Sequence, residues 1–528
     1  MQRNYLKITG AVVLAALSLG SCTKDLNRLP TNSTTADQAF STPAGYKQAL
    51  AKVYGAFALT GSSGSASSDL GGIDAGTSDF LRLYWNAQEL STGEAICAWG
   101  DPGVPDFHNM NWTSGNTILL GLYARCVYQI TVCNSFLRQS TDALLTSRGI
   151  TGKDAGDIHH YRAEARFLRA YQYWVLMDLF GNPPFVTEKD PVGTFLPPQI
   201  KRADLFNYVE SELKSVDSSL AAPHQNEYGR ADQAADWALL ARMYLNAEVY
   251  TGKPRYTDAI TYASKVINAG YSLMPQYKNL FLADNNLNNP EVILSINYDG
   301  TNTQNYGGTT FLVNGSISGD MNPASFGVPS GGWGGNRSTK VLPQAFGDYS
   351  GNSDKRAMFY GANLDIAKVS DFKQGLAVIK YRNITSTGAL PPNAGTYCSI
   401  DFPLFRLGEM YLVYAEAYLR GGSGGDIATA TGYINKLRER AYGNASGDIT
   451  ATDLTLPFIL NERARELYWE GFRRTDLIRF GDFTSGSYLW PWKGGVASGT
   501  GVDPHFNLYP IPAGDLIANP HLQQNPGY

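Results

Sequence analysis

Trp237-x2-Leu240-Ala241-x2-Tyr244 and Tyr411-x2-Tyr414-Ala415-x2-Tyr418 share one spacing: large, large, small, aromatic. On a helix these positions cluster towards one face. The Ala lets a partner helix approach closely, and the large residues fill the groove between neighbours. Each run is followed by a second helical pattern, through Ala259 and Ala263 in one case and Ala430, Ile434 and Leu437 in the other. An ordinary antiparallel pair with an Ala in its interface would account for one copy. Two copies favour a repeat.

The spacing is that of the first helix of tetratricopeptide repeats, with linkers longer than the standard repeat of about 34 residues. The expected fold is therefore mainly α, a tetratricopeptide-repeat-like helical scaffold of about four divergent helix pairs. Helical periodicity begins near Tyr46, with Leu50, Val53 and Phe57, and recurs over 117–140, 158–180, 203–220, 232–250, 256–269, 403–420, 427–442 and 457–480. A Gly/Ser/Asp-rich loop covers 61–78. The stretch 280–400 is rich in Gly, Asn, Thr and Pro, holds seven glycines over 315–335, and has short β-like runs such as Val292–Ile296. These features predict a helical scaffold mainly over 45–270 and 403–480, and an irregular second lobe with short strands mainly over 61–115 and 280–400. The last fifty residues read as irregular.

The N-terminus carries Arg3 and Lys7, then an apolar run from Ile8 to Leu19 that ends in Leu19-Gly20-Ser21-Cys22. The run is shorter than the roughly 20 residues a spanning helix needs. It reads as a signal peptide over 1–21. Cys22 follows two small residues and a Leu where the apolar run ends, which resembles a bacterial lipobox. The expectation is a lipid on Cys22 and a polar, extended tether over 22–44. An ordinary signal with Cys22 incidental is the alternative.

A net charge of −4 over 528 residues leaves no broad basic surface, so nucleic acid is not an expected partner. The other cysteines are Cys97, Cys126, Cys133 and Cys398, too few for a disulfide scaffold. On one helix Cys126 and Cys133 would be about 10.5 Å apart along the axis, beyond disulfide reach. The chain holds 32 Tyr and 9 Trp, which suits both sugar stacking and helix packing, so composition does not separate them.

Enzyme motifs are nearly absent. Gly421-Gly422-Ser423-Gly424-Gly425 matches the nucleophile-elbow pattern, but it follows a helical pattern where that motif needs a strand. Paired carboxylates for glycoside hydrolysis are defined by distance in space, and nothing in the sequence marks a pair. Asp284-x-Asn286-x-Asn288 alternates oxygen ligands as a calcium loop does, without the usual Gly and closing Glu; Glu291 or carbonyls would have to complete it. No cofactor is required by the pattern, and a structural calcium there is the one candidate. Leu460, just before the block Asn461–Phe480, and Ala464, Leu467 and Tyr468 within it fall on one helical face, with Arg and Glu at i,i+4 spacing elsewhere. A structural salt-bridge network is expected there in preference to an anion site.

The same block resembles the signature of the SusD/RagB family of Bacteroidetes outer-membrane lipoproteins. Arg162–Ala170, Gly229-Arg230-Ala231-Asp232, Phe402-Pro403-Leu404-Phe405-Arg406 and Tyr509-Pro510-Ile511-Pro512 agree in the family's order. The resemblance implies a non-enzymatic glycan binder on a tetratricopeptide-repeat scaffold over 45–528. It also implies two partners, a SusC-like TonB-dependent transporter and the outer membrane, reached through the lipid on Cys22. Ser78–Arg82, Ala98-Trp99, Asn305–Gly308 and Gly332-Trp333 are similar to the site segments of the family's starch-binding founding member. This implies that Trp99, Tyr306 and Trp333 stack on the glucose rings of an α-glucan or maltooligosaccharide, while Arg82 donates to hydroxyls. Without the resemblance Arg82 reads as a surface charge. Cys97 replaces a second Trp and Pro102 a polar Asn of that pattern, with Asp101 or Asn109 as substitutes. Trp333 has no apolar neighbour in its glycine run, which itself favours ligand contact. Another glycan or a peptide remains an alternative ligand, and a surface glycosidase an alternative class.

Overall fold

In the computed structural model, which describes residues 35–392 and 394–528, helices form the scaffold and three two-stranded antiparallel sheets lie among the loops. The first half holds α1 (Pro43–Ala58), α2 (Phe80–Glu89), α3 (Thr117–Gln139), α4 (Gly152–Phe180) and α5 (Arg202–Val216). α3 packs on α4, α4 on α5, and α1 against both α3 and α4. Then come α6 (Gln233–Leu245) and α7 (Tyr256–Ile267), followed by the loop-rich segment with its one longer helix, α8 (Gly308–Ser316). The scaffold resumes with α9 (Leu407–Leu419), α10 (Ile427–Tyr442), α11 (Leu456–Leu467) and α12 (Arg473–Arg479). α6 packs on α7, α7 on α9, and α9 on α10 and α11. The strands are β1 (Ile96–Cys97), β2 (Val292–Ile296), β3 (Asn336–Arg337), β4 (Phe359–Tyr360), β5 (Ala377–Val378) and β6 (Phe402–Arg406), paired β1–β3, β2–β6 and β4–β5.

The repeat spacing lies where helices touch. Leu240, Ala241 and Tyr244 on α6 are fully buried, as are Ala259 and Ala263 on α7. Ala415 on α9 and Ala430, Ile434 and Leu437 on α10 are buried likewise. Tyr411 stacks on Tyr433 of α10, with ring centroids 4.6 Å apart and 6° between planes. Two distant sequence blocks meet directly: Arg230, just before α6, donates to Glu164 of α4 at 2.5 Å. The Tyr54 hydroxyl of α1 donates to the same Glu164 carboxylate and accepts from the Ala231 N–H. Asp232 then caps α6 through the N–H groups of Ala234 and Ala235.

Several boundaries differ from the sequence reading. Residues 35–44, assigned to an extended tether, are partly folded: Thr35 and Gln38 form a capping box on the short helix Ala36–Ala39. Phe40 then packs edge-on against Tyr46 at 5.0 Å. The leader and Cys22 lie outside the described residues. The expected helix 403–420 starts as a strand, because Phe402–Arg406 pairs with Val292–Ile296 before α9 begins. The expected helix 457–480 breaks between α11 and α12. Trp469 and Gly471 there adopt left-handed backbone at φ 63° and 83°. A Cβ on Gly471 would sit 2.7 Å from the Tyr84 ring, so glycine is needed for space as well as conformation. The Glu89 carboxylate accepts the N–H groups of Gly471 and Phe472 at the turn. α2 and α8 fall inside segments read as loops. Cys97, Cys126, Cys133 and Cys398 are free and buried, Cys126 and Cys133 both on α3. No described helix is long and apolar enough to cross a membrane.

The charges of the C-terminal block pair mainly across the fold. Arg406, at the end of β6, bonds Glu291, Glu466 and Glu470. Arg356 bonds Asp354, Glu462 and Glu466, and Arg440 bonds Glu291 and Glu466. Lys380 reaches Glu470 at 2.7 Å. The glutamates of this network are 0–1% exposed, so the network joins α10, α11 and β6 to the loop-rich lobe in a dry interior. Burial would raise the Glu466 carboxyl, but Arg440, Arg406 and Arg356 hold it down to about 2. Its folded value is thus depressed. The stability it contributes is present above its free value of 4.5 and is lost as pH falls from there through about 2. Glu466→Gln should leave three arginines short of a counter-charge and cost about 3–5 kcal/mol at pH 7. Urea unfolding at pH 7 and at pH 3 should show a smaller gap between the two pH values for the variant than for the parent.

Candidate functional site

The expected ligand residues come from four segments that two small devices bring together. The first is β1–β3, in which Cys97 pairs with Asn336 and the Ala98 N–H donates to the Gly335 carbonyl at 2.8 Å. This sets Trp99, just past β1, against the Gly331–Gly335 run. That run is sewn to the end of α8: the N–H groups of Trp333, Gly334 and Gly335 donate to the carbonyls of Asn314, Ile317 and Gly315 at 2.7, 2.8 and 2.8 Å. The glycines are required by contact. A Cβ on Gly332 would lie 2.0 Å from the Ile317 carbonyl oxygen, and one on Gly335 2.2 Å from the Trp99 ring.

The second device is Asp79. Its Oδ1 caps α2 through the Arg82 N–H at 3.0 Å and also accepts the Gly308 N–H at 2.7 Å. One carboxylate thus ties the start of α2 to the Tyr306 turn. A Cβ on Gly307 would lie 2.0 Å from Asp79 Cβ, so this turn also needs its glycine. Asn305 fastens the other side through Nδ2 to the Ala58 carbonyl at 2.5 Å.

The result is a row of four rings. Trp99 and Trp333 have centroids 6.5 Å apart, Trp333 and Tyr306 6.3 Å, Tyr306 and Tyr397 5.7 Å. Successive planes are tilted by 48°, 52° and 50°, so the rings are neither coplanar nor stacked face to face. Tyr306 is 37% exposed and the other three are half-buried. Trp333 therefore has aromatic neighbours from other segments although it has no apolar neighbour in sequence. Tyr397 was not anticipated. It carries the same signal as Trp333, an aromatic in a polar, glycine-containing stretch, and its hydroxyl donates to Ser65 Oγ at 2.7 Å.

Arg82 is 7% exposed and not a surface charge. Its Nη1 donates to the carbonyls of Gly76 and Tyr306 at 2.8 and 3.2 Å, bracing the turn that carries the Tyr306 ring. Its guanidinium lies 4.7 Å from the Phe311 ring and 5.6 Å from the Trp99 ring. Burial pushes its pKa down, and Asp101 is among the groups that oppose the shift. Asp101 is exposed, at the edge of a cleft of about 410 Å³ shared with Asp74, Thr77 and Thr117. Cys97 is buried, and burial pushes its thiol up to about 12. Pro102 turns its carbonyl to the Thr117 hydroxyl at 2.8 Å.

In the calcium pattern the acidic groups have protein partners. Both oxygens of Asp284 accept from Ser386, Oδ1 from the N–H at 2.8 Å and Oδ2 from the hydroxyl at 2.6 Å. Glu291, considered as a closing ligand beside Asn286 and Asn288, is buried and bonded to Arg406, Arg440 and the Met274 N–H. Among the described residues no group of three or more His, Cys, Asp or Glu could hold a metal. Ser423 lies in the loop between α9 and α10, with no strand before it.

Residues 373–528 match the profile of the SusD family. The chain is 37% identical over 579 aligned positions to the "Starch-binding protein SusD" of Bacteroides thetaiotaomicron, covering 100% of both chains. It is 26% identical to "SusD-like protein P25" of Formosa agariphila, over 69% of this chain and 71% of the other. A solved SusD homolog from Bacteroides thetaiotaomicron superposes with a TM-score of 0.73 at 19% identity, covering 96% of this chain and 100% of that one. Surface glycan-binding protein A from the same organism, solved with laminarihexaose, superposes with a TM-score of 0.67 at 22% identity, over 91% and 99% of the two chains. These two likenesses establish the helical fold.

The contact between Gly335 and Trp99 can be tested without ligand. Gly335→Ala forces the Trp99 ring aside and should cost about 1–3 kcal/mol. Near-ultraviolet circular dichroism should change with it. Gly100→Ala, with open space around its Cβ, should leave both stability and spectrum unchanged.

Proposed function

This chain belongs to the SusD family, and from that premise we propose that it is a cell-surface lipoprotein that captures starch and maltooligosaccharides. It then delivers them to a SusC-like TonB-dependent transporter in the outer membrane. The observation that carries the reading is the row Trp99, Trp333, Tyr306 and Tyr397, with its successive tilts near 50°. Sugar rings present apolar C–H faces that lie on aromatic rings, and a helical α-glucan presents successive faces at changing angles. Full-length likeness to a protein named for starch binding supports the same ligand. In this reading Trp99, Tyr306 and Trp333 stack on glucose, Tyr397 extends the row, and Asp101 bonds hydroxyls beside it. Arg82 acts mainly by holding the Tyr306 turn. The role is recognition, with no bond made or broken.

A shallow row of stacks binds each site weakly, and polymer gains from several such contacts at once. Lipid on Cys22 would hold many copies on one membrane beside the transporter. Each buried methylene contributes roughly 0.8 kcal/mol, and stable anchoring takes more than one chain.

Affinity electrophoresis tests the ligand. Amylopectin should retard the protein. Trp333→Ala, removing roughly 80 Å² of apolar contact at about 25 cal/mol per Å², should weaken the interaction about thirtyfold. No retardation by any α-glucan would overturn the starch reading, and retardation by laminarin alone would replace it with another glucan. Release of reducing sugar by the purified protein would overturn the binding role. Separately, Cys22→Ala should move the protein from the membrane fraction to the soluble fraction on cell fractionation.

A further inference from the structure

A second cleft, of about 530 Å³, opens between the turn at Tyr277–Phe281, the segment 350–359, residues 379–382 and the end of α10. That volume lies within the range of small-molecule sites, about 300–1,000 Å³. Its charged lining residues are Lys278, Lys355, Arg382 and Arg440, and no lining residue is acidic. This concentration of positive charge stands on a chain whose net charge is −4.

Of these four cations only Arg440 has an ion pair among the described residues. The buried network beneath the cleft joins six cations, Arg356, Arg406, Arg438, Arg440, Arg465 and Lys380, to five carboxylates. Arg440 belongs to that network through Nη1 and Nη2, is 4% exposed, and leaves its buried Nε without a partner. Arg382 has no carboxylate within ion-pair distance among the described residues, and its buried Nε also lacks a partner. The Lys355 ammonium donates to the carbonyls of Gly351 and Asn352, at 3.0 and 2.6 Å, and has no ion pair among the described residues. Lys278 is exposed. Burial pushes the Arg382 guanidinium below its ordinary value, and the Tyr468 phenol is the group that opposes this.

A part-buried guanidinium without a counter-ion is costly unless something supplies one. Cationic clefts with low-dielectric walls concentrate anions, and a guanidinium fork matches the oxygens of a carboxylate, sulfate or phosphate. The walls here are Tyr277, Met358, Phe359 and Ile379, which suit an apolar ring face. We propose that this cleft binds a small organic oxyanion, a carboxylate, sulfate or phosphate carried on a compact body with an apolar face. Arg382 makes the principal contact. Lys278 and Lys355 add flexible charge at the mouth. The site stands apart from the glycan reading, since none of its lining residues belongs to the aromatic row.

Isothermal titration calorimetry on the purified protein in detergent tests it, with glucuronate, glucose 6-sulfate, glucose 6-phosphate and uncharged glucose as probes. At least one charged sugar should bind while glucose does not, and the tightest of them identifies the oxyanion. Affinity should fall as sodium chloride rises from about 50 to about 500 mM. Arg382→Gln should weaken binding by about tenfold or more. Lys278→Gln, at an exposed position that the fold does not need, should weaken it about threefold. Both variants should keep the parent's retardation in amylopectin gels, and Trp333→Ala should keep the parent's anion affinity. Charged sugars binding no better than glucose, or binding untouched by both substitutions, would overturn the proposal.

Discussion

The buried bonds of Glu466 to Arg406, Arg440 and Arg356 are the constraint on which the rest of the molecule depends. Glu466 ends α11, Arg440 ends α10, Arg406 precedes α9, and Arg356 comes from the loop-rich lobe. Four pieces of chain must therefore be in register before any of them can bury its charge. Desolvating such groups is expensive, and replacing the whole set by apolar residues would often be no less stable. Their effect is on arrangement: removing any one partner leaves another charge dry and uncompensated, so partial assemblies are disfavoured.

From that clamp, α2 carries rigidity to the aromatic row. Glu89 at its end holds the Gly471–Phe472 turn between α11 and α12. The residue before it, Gln88, donates through Nε2 to Asp178 of α4 and Thr475 of α12. At its start Asp79 and Arg82 hold the Tyr306 turn. One ten-residue helix, buried at every position, thus links the C-terminal signature to the aromatic row. The rings themselves sit on loops, where their tilts can differ, but these loops are tied by backbone hydrogen bonds to α8 and to the β1–β3 ladder. A scaffold of helices fixes where the loops start, and a few carboxylate and amide contacts fix how they end.

Helices were readable where large and small residues recur at helical spacing. The spacings around Ala241 and Ala415 placed two interfaces correctly, because positions three and four apart meet the same neighbouring helix, even though α6 and α9 are buried on nearly every face. The same reasoning passes over α2 and α8. All ten residues of α2 and all nine of α8 are buried, the polar Arg82, Asn86 and Glu89 included, and both are short helices set among Gly-, Ser- and Asn-rich stretches without the repeat spacing. It also runs the α11 pattern through Trp469 and Gly471, where space beside Tyr84 and the Glu89 carboxylate impose a turn.

The sequence by itself determined the helical class, the repeat spacing, the family, and the aromatic identities at Trp99, Tyr306 and Trp333. These depend on local periodicity and on residue type, which the chain displays directly. Only the tertiary structure decided that Tyr397 completes the row, that Arg82 braces a turn from a buried position, and that Asp284 is already engaged by Ser386. It alone decided which glutamate meets which arginine, since Arg356 and Glu466 lie 110 residues apart. Such contacts bring together residues far apart in the chain, and their energies depend on burial and distance, neither of which is a property of any single stretch of sequence.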